Sequence, residues 1–212
     1  FAAVFIPIAL YLLFFRLRGI SRSTFAILFI IVSVPIIPTH TITAMCMAIL
    51  LFVAWGALAF YWVYHSKLGA YVSLLTPIGF MIAMYAWWTY ASGSMGRLGD
   101  LIKWGFNVDL FTSTPIELRD YATVIPFGEQ LFNNIGMFLF FAFSFIGIFY
   151  MISRKGSSLS FAMACIALAP LAIGFFSLIS GHSVIEHRWW YFAQIFLSIP
   201  LAVAIYTVGT WK

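Results

Sequence analysis

Charge is what this sequence has least of. Only 8% of its 212 residues are Asp, Glu, Lys or Arg, where a soluble domain carries roughly a quarter. So few charges cannot clothe a water-facing surface, which excludes an ordinary cytosolic protein. Disorder, which needs low hydrophobicity and high charge, is excluded by the same figure, as are collagen and coiled coil. Cysteine is almost as scarce. Cys46 and Cys165 are the only two, each inside an apolar run and far from any Cys-x-x-Cys spacing. Neither a disulfide framework nor a thiolate metal site follows, and both read as small buried hydrophobes. Carboxylates are missing from the whole first part of the chain, up to Asp100.

What is abundant is apolar surface: 64% of residues are hydrophobic and 20% aromatic. Sparse charges that punctuate long hydrophobic runs are the pattern of an all-α, polytopic transmembrane bundle. The net charge of +5 therefore points to a membrane side rather than to nucleic acid. The chain opens on Phe1-Ala2-Ala3, already apolar and without Met, so it reads as one transmembrane domain from a longer polypeptide.

A helix needs about 20 apolar residues to cross the hydrocarbon core. Cutting at charges and turn residues gives seven spans: Phe1 to Phe15, Thr24 to Ile37, Thr41 to Tyr64, Leu68 to Tyr90, Leu131 to Ile152, Leu159 to Ile179, and Trp189 to about Thr210. The second is short and ends in Pro35 and Pro38. If all seven cross, one side holds Arg16, Arg18, Arg22, Lys67, Arg154, Lys155 and Lys212 and no carboxylate. The other side holds Arg97, Lys103, Arg119 and Arg188 together with every carboxylate: Asp100, Asp109, Glu117, Asp120, Glu129 and Glu186. Under the positive-inside rule this partition puts the N-terminus outside the cell membrane and the C-terminus in the cytoplasm. Pro7, Pro35, Pro77, Pro170 and Pro200 interrupt apolar runs and read as kinks. The Phe-rich stretch from Met137 to Phe145 is apolar on every face and reads as lipid contact and helix packing.

Chemistry is expected on the external side. The connections there are the Pro38-Thr39-His40 turn, the loop Ala91 to Gln130, and the loop Ser180 to Arg188, and they carry three of the four histidines and all six carboxylates. A loop of about 40 residues is longer than a bundle connection requires, and loops of that length are usually functional. Within it, Leu98, Leu101, Ile102 and Phe106 recur at helical spacing. This pattern predicts an interfacial amphipathic helix over Gly96 to Phe106, either a platform for a lipid-linked substrate or simply a loop helix packed over the bundle. Asp120 and Glu129 in the rest of the loop, and Glu186 beyond it, are candidate general bases.

The last loop is more specific. Glu186-His187-Arg188-Trp189-Trp190-Tyr191 places an arginine where a span enters the membrane, beside three aromatic residues that read first as interfacial anchors. Arg188 can offer parallel donors to a phosphate, or snorkel to lipid head groups. His187 and Glu186 can orient it or move protons. If Gly181 to Trp189 is helical, His182 and Glu186 lie four apart on one face, which leaves open a divalent metal ion. His40 either supplies a further ligand from across the bundle or satisfies the start of the third span.

The run Arg188-Trp189-Trp190-Tyr191-Phe192-Ala193 through Ile199-Pro200-Leu201-Ala202, with the long external loop and the Pro38-Thr39-His40-Thr41 turn, resembles the C-terminal half of GT-C type membrane glycosyltransferases of prokaryotes and archaea. The resemblance spans about the last 175 residues. It implies a transferase that takes a sugar from a polyprenyl-phosphate or pyrophosphate donor, with membrane lipid and the lipid-linked donor as partners and Arg188 at the donor phosphate. His187, His182 and His40 would be further substrate contacts. The family's catalytic carboxylate lies in a first external loop. Because no acidic residue precedes Asp100, that base either belongs to sequence upstream of Phe1 or is absent. The alternatives are a polymerase or ligase acting on lipid-linked glycans, a noncatalytic membrane subunit, and a transporter. The spans carry no charge at mid-depth, which disfavours ion-coupled transport.

Overall fold

The computed structural model describes residues 2–14, 21–65, 72–93, 96, 127–153, 156–179 and 186–210. Among them every regular element is helical: α1 Ala2–Phe14, α2 Arg22–Ser33, α3 Ile36–Thr39, α4 Thr41–His65, α5 Leu75–Ala86 continued by a π-helical turn Trp87–Ala91, α6 Phe127–Ile152, α7 Ser158–Ile179 and α8 Glu186–Gly209. Four stretches among the described residues are long and apolar enough to cross a bilayer, namely Thr41–His65, Ile135–Ile152, Ser158–Phe175 and Trp189–Gly209. The segments Ala3–Phe14 and Ser23–Thr39 are apolar but shorter.

Four expected spans differ from the observed helices. The second breaks at Val34 and Pro35 into α2 and α3, because proline has no N–H to continue the ladder and its ring crowds the preceding turn. Pro38 and Thr39, expected in a turn, belong to α3. The fourth span starts at Leu75 rather than Leu68 as far as the described residues go, since Val72 to Leu74 are not helical. Ser73 supplies the reason: its hydroxyl accepts from the Leu75 N–H at 3.3 Å and its carbonyl from the Thr76 N–H at 3.0 Å, a local turn that competes with the helix. The fifth and seventh begin earlier than expected, at Phe127 and Glu186.

Helix directions follow from specific contacts. On α6 and α8, Phe141 meets Trp190 with ring centroids 6.0 Å apart, Ser144 Oγ donates to the Leu197 carbonyl at 3.2 Å, and Gly147 faces Pro200. The pairing advances along both helices together, so they are parallel. At the end of α7, Phe175 packs edge-on to Trp190, 5.1 Å between centroids, so α7 is antiparallel to α8. At its start, Phe161 stacks on Phe60 of α4, 6.1 Å between centroids, and the Tyr61 hydroxyl reaches the Gly156 carbonyl at 3.4 Å. Thus α4 is antiparallel to α7 and parallel to α6 and α8.

In a bilayer, apolar area alone cannot drive helices together, because lipid tails are equally apolar; close approach through small residues does. Ala162, Ala164 and Ala167 on α7, Ala193 and Ala204 on α8, and Ala44, Ala48, Ala54 and Ala57 on α4 are all buried. The closest approach is between α6 and α8. A Cβ added at Gly147 would collide with the Pro200 carbonyl oxygen and stand 3.0 Å from its Cα. Pro200 interrupts the α8 ladder, and Ser144, fully buried, satisfies the Leu197 carbonyl beside that interruption.

Among the described residues, two buried polar side-chain atoms have no hydrogen-bond partner, Ser33 Oγ and Trp88 Nε1. A hydroxyl buried without a partner costs about 1–3 kcal/mol. Ser33→Ala is therefore expected to raise stability by about 1 kcal/mol, read as a higher melting temperature of the purified protein in detergent. A lower one would mean that the hydroxyl is bonded in the folded protein.

Candidate functional site

Because α4, α6 and α8 run the same way, their first turns lie at one end of the bundle. His40 precedes α4, Glu129 is in the first turn of α6, and Glu186, His187 and Arg188 form the first turn of α8. Five of the seven candidate site residues thus share an end. Asp120 and His182 lie outside the described residues, as does the predicted amphipathic helix from Arg97 to Phe106.

His40 is a helix cap. Its backbone is extended, with φ −162° and ψ 114°, and its carbonyl accepts the first α4 bond from the Ala44 N–H at 3.0 Å. Its Nδ1 accepts from the Thr43 N–H at 3.3 Å and lies 3.3 Å from the Thr43 hydroxyl. An accepting ring nitrogen bears no proton, so the ring proton sits on Nε2. Of the two expected roles, satisfying the start of α4 is the one seen. Helix α7 packs on both α4 and α8. Among the described residues no three of His, Cys, Asp and Glu come close enough to hold a metal ion.

Glu129, expected in the loop, stands in the first turn of α6 and is exposed. A carboxylate there interacts favourably with the positive end of the helix dipole, which is why the helix reaches back beyond Leu131. The first turn of α8 extends the same way, through Glu186. The backbone N–H groups of such a turn have no partner within the helix and face outward with the positive dipole end, an arrangement that accepts a phosphate.

Behind that turn the aromatic residues do more than anchor. Trp189 is buried, Trp190 is half-buried between Phe141 of α6 and Phe175 of α7, and only Tyr191, 65% exposed, fits the expected outward-facing position. Gly174 makes room for this packing, since a Cβ there would touch the Trp189 Cβ and the Trp190 ring at 3.6 Å. The start of α8 is therefore fixed from below by α6 and α7.

Trp88 was not expected to matter. It is 1% exposed, sits in the π-helical turn, and its indole N–H is unpartnered. The turn is closed by the Ser92 N–H donating to the Trp87 carbonyl at 3.0 Å, five residues back. Single π turns are common at functional sites, and this one immediately precedes the long segment to α6. Nothing in the local sequence WWTYA distinguishes a π turn from an α turn. Comparison of this chain with family models, curated proteins and solved structures finds no match.

Proposed function

We propose that this chain forms the membrane part of a glycosyltransferase that uses a polyprenyl-phosphate-linked sugar donor on the extracytoplasmic face. The observation that carries the reading is the gathering of the first turns of α4, α6 and α8 at one end, with Glu186-His187-Arg188 opening α8 above a packed aromatic floor. A donor whose tail dissolves in the bilayer presents its phosphate at head-group depth. The N–H groups of the α8 first turn, which have no partner within the helix, and a guanidinium at position 188 offer that phosphate charge-assisted hydrogen bonds. A carboxylate nearby then has to take the proton of the acceptor as the sugar moves. Asp120, Glu129 and Glu186 are the candidates in this chain, and Glu129 belongs to the helix that packs most closely on α8.

The reading includes seven crossings, an external N-terminus and a cytoplasmic C-terminus. With Cys46 and Cys165 replaced, a cysteine at Ser113 should react with an impermeant thiol reagent applied to intact cells and one at Ser157 should not; the reverse pattern would put the proposed site on the cytoplasmic face. For the activity itself, the full-length protein in lipid nanodiscs should bind a radiolabelled polyprenyl-phosphate sugar saturably, and unlabelled polyprenyl phosphate should displace it. Binding that does not saturate would reduce the interaction to partition into the bilayer and end the reading.

A further inference from the structure

A slot of about 470 Å³ runs beside α2, lined by Phe25, Ala26, Phe29, Ser33 and Ile37 on that side and by Gly79 and Ala83 among the α5 residues opposite. Its walls are almost wholly apolar, and the buried Ser33 hydroxyl on one of them is unpartnered. Packing is therefore incomplete where the two helices face each other. Gly79 contributes to the gap, because a Cβ there would meet nothing within 4 Å. At the rim of the slot Ile30 and Val34 are exposed, and beyond it α2 turns Ile27 and Ile31 to its surroundings, so the opening lies on an apolar, outward-facing side of this helix.

Size and charge select the occupant. A methylene takes about the space of a water in the liquid, roughly 30 Å³, so the slot has room for about fifteen carbons, the length of one acyl chain. One end of the slot is at Phe25, a turn after Arg22 opens α2. In the sequence Arg16 and Arg18 come just before, with no carboxylate anywhere near. A basic position, Arg22, where α2 begins suits the head group of an anionic lipid.

We propose that the slot between α2 and α5 holds one acyl chain of an anionic phospholipid, with the head group at the α2 start. The proposal is independent of glycosyl transfer and places this lipid apart from the first turn of α8. It is tested with the full-length protein by native mass spectrometry, with phosphatidylglycerol or phosphatidylcholine added to delipidated samples. Wild type should retain one phosphatidylglycerol. Gly79→Phe, at a position where an added Cβ meets nothing within 4 Å, should lower retention of either lipid at least tenfold, and Ala83→Leu, a smaller filling change, should lower it in the same direction. Arg22→Gln should weaken phosphatidylglycerol alone, about fivefold for one charge. Val208→Phe, at an exposed position on α8, should change nothing. Wild-type retention in both filling variants, or equal retention of the two lipids by wild type, would overturn the proposal, as would an isoprenoid lipid displacing phosphatidylglycerol from wild type but not from Gly79→Phe.

Discussion

Gly147→Ala is expected to destabilise the protein by about 2–4 kcal/mol, an unusually large effect for the addition of one methyl group. The methyl would be driven into the Pro200 carbonyl, a backbone group that cannot rotate aside. Relief requires α6 and α8 to move apart, and with them go the Ser144 bond to the Leu197 carbonyl and the edge-on packing of Phe141 against Trp190. The Leu197 carbonyl would then lose its Ser144 partner in a helix whose ladder is already interrupted at Pro200. Gly136 provides the internal control. It lies in the same helix, is exposed, and a Cβ there meets nothing within 4 Å. Gly136→Ala should be neutral or stabilise by up to about 1 kcal/mol through helix propensity. Melting temperatures of the two variants in detergent separate these expectations, and equal values would mean that α6 and α8 cross more loosely than described.

Residue type and spacing foretold some of this arrangement and not the rest. The third span was readable to within a residue at both ends, because His40 and Lys67 bracket an uninterrupted apolar run. The break at Pro35 was readable as well, since proline acts on its own backbone wherever it stands. The late start of α5 was missed because Val72 and Leu74 are as apolar as the helix that follows; only the hydrogen bonds of Ser73 end the run. The early starts of α6 and α8 were missed for the opposite reason. Glu129 and Glu186 look like loop markers in the sequence, although carboxylates are also good first-turn residues. The significance of Gly147 among fifteen glycines depends on a helix some fifty residues downstream in the chain, and no local signal carries it. Trp189 and Trp190 were read as anchors at the lipid interface, and their burial is likewise a consequence of what α6 and α7 bring to them.

For the proposed site, the grouping of His40, Glu129 and the Glu186-His187-Arg188 turn was readable as a shared side of the bundle, from charge alone. The helix directions place them at one end independently of any charge rule. The cap formed by His40 on Thr43 leaves position 188 as the sharper test.

Arg188→Lys keeps the charge and removes the planar fork. If Arg188 grips the phosphate of a lipid-linked donor through two parallel hydrogen bonds, the point charge of lysine replaces at most one of them. A hydrogen bond to a charged group is worth about 1.5–3 kcal/mol, so its loss corresponds to roughly a ten- to hundredfold effect. An arginine that only reaches to lipid head groups loses nothing of consequence when lysine takes its place. The decisive measurement is sugar transfer from a polyprenyl-phosphate donor by purified full-length wild type and by Arg188→Lys of the same melting temperature. The account predicts transfer by wild type and a ten- to hundredfold lower rate in the variant; equal rates in the two, or no transfer by wild type, would contradict it.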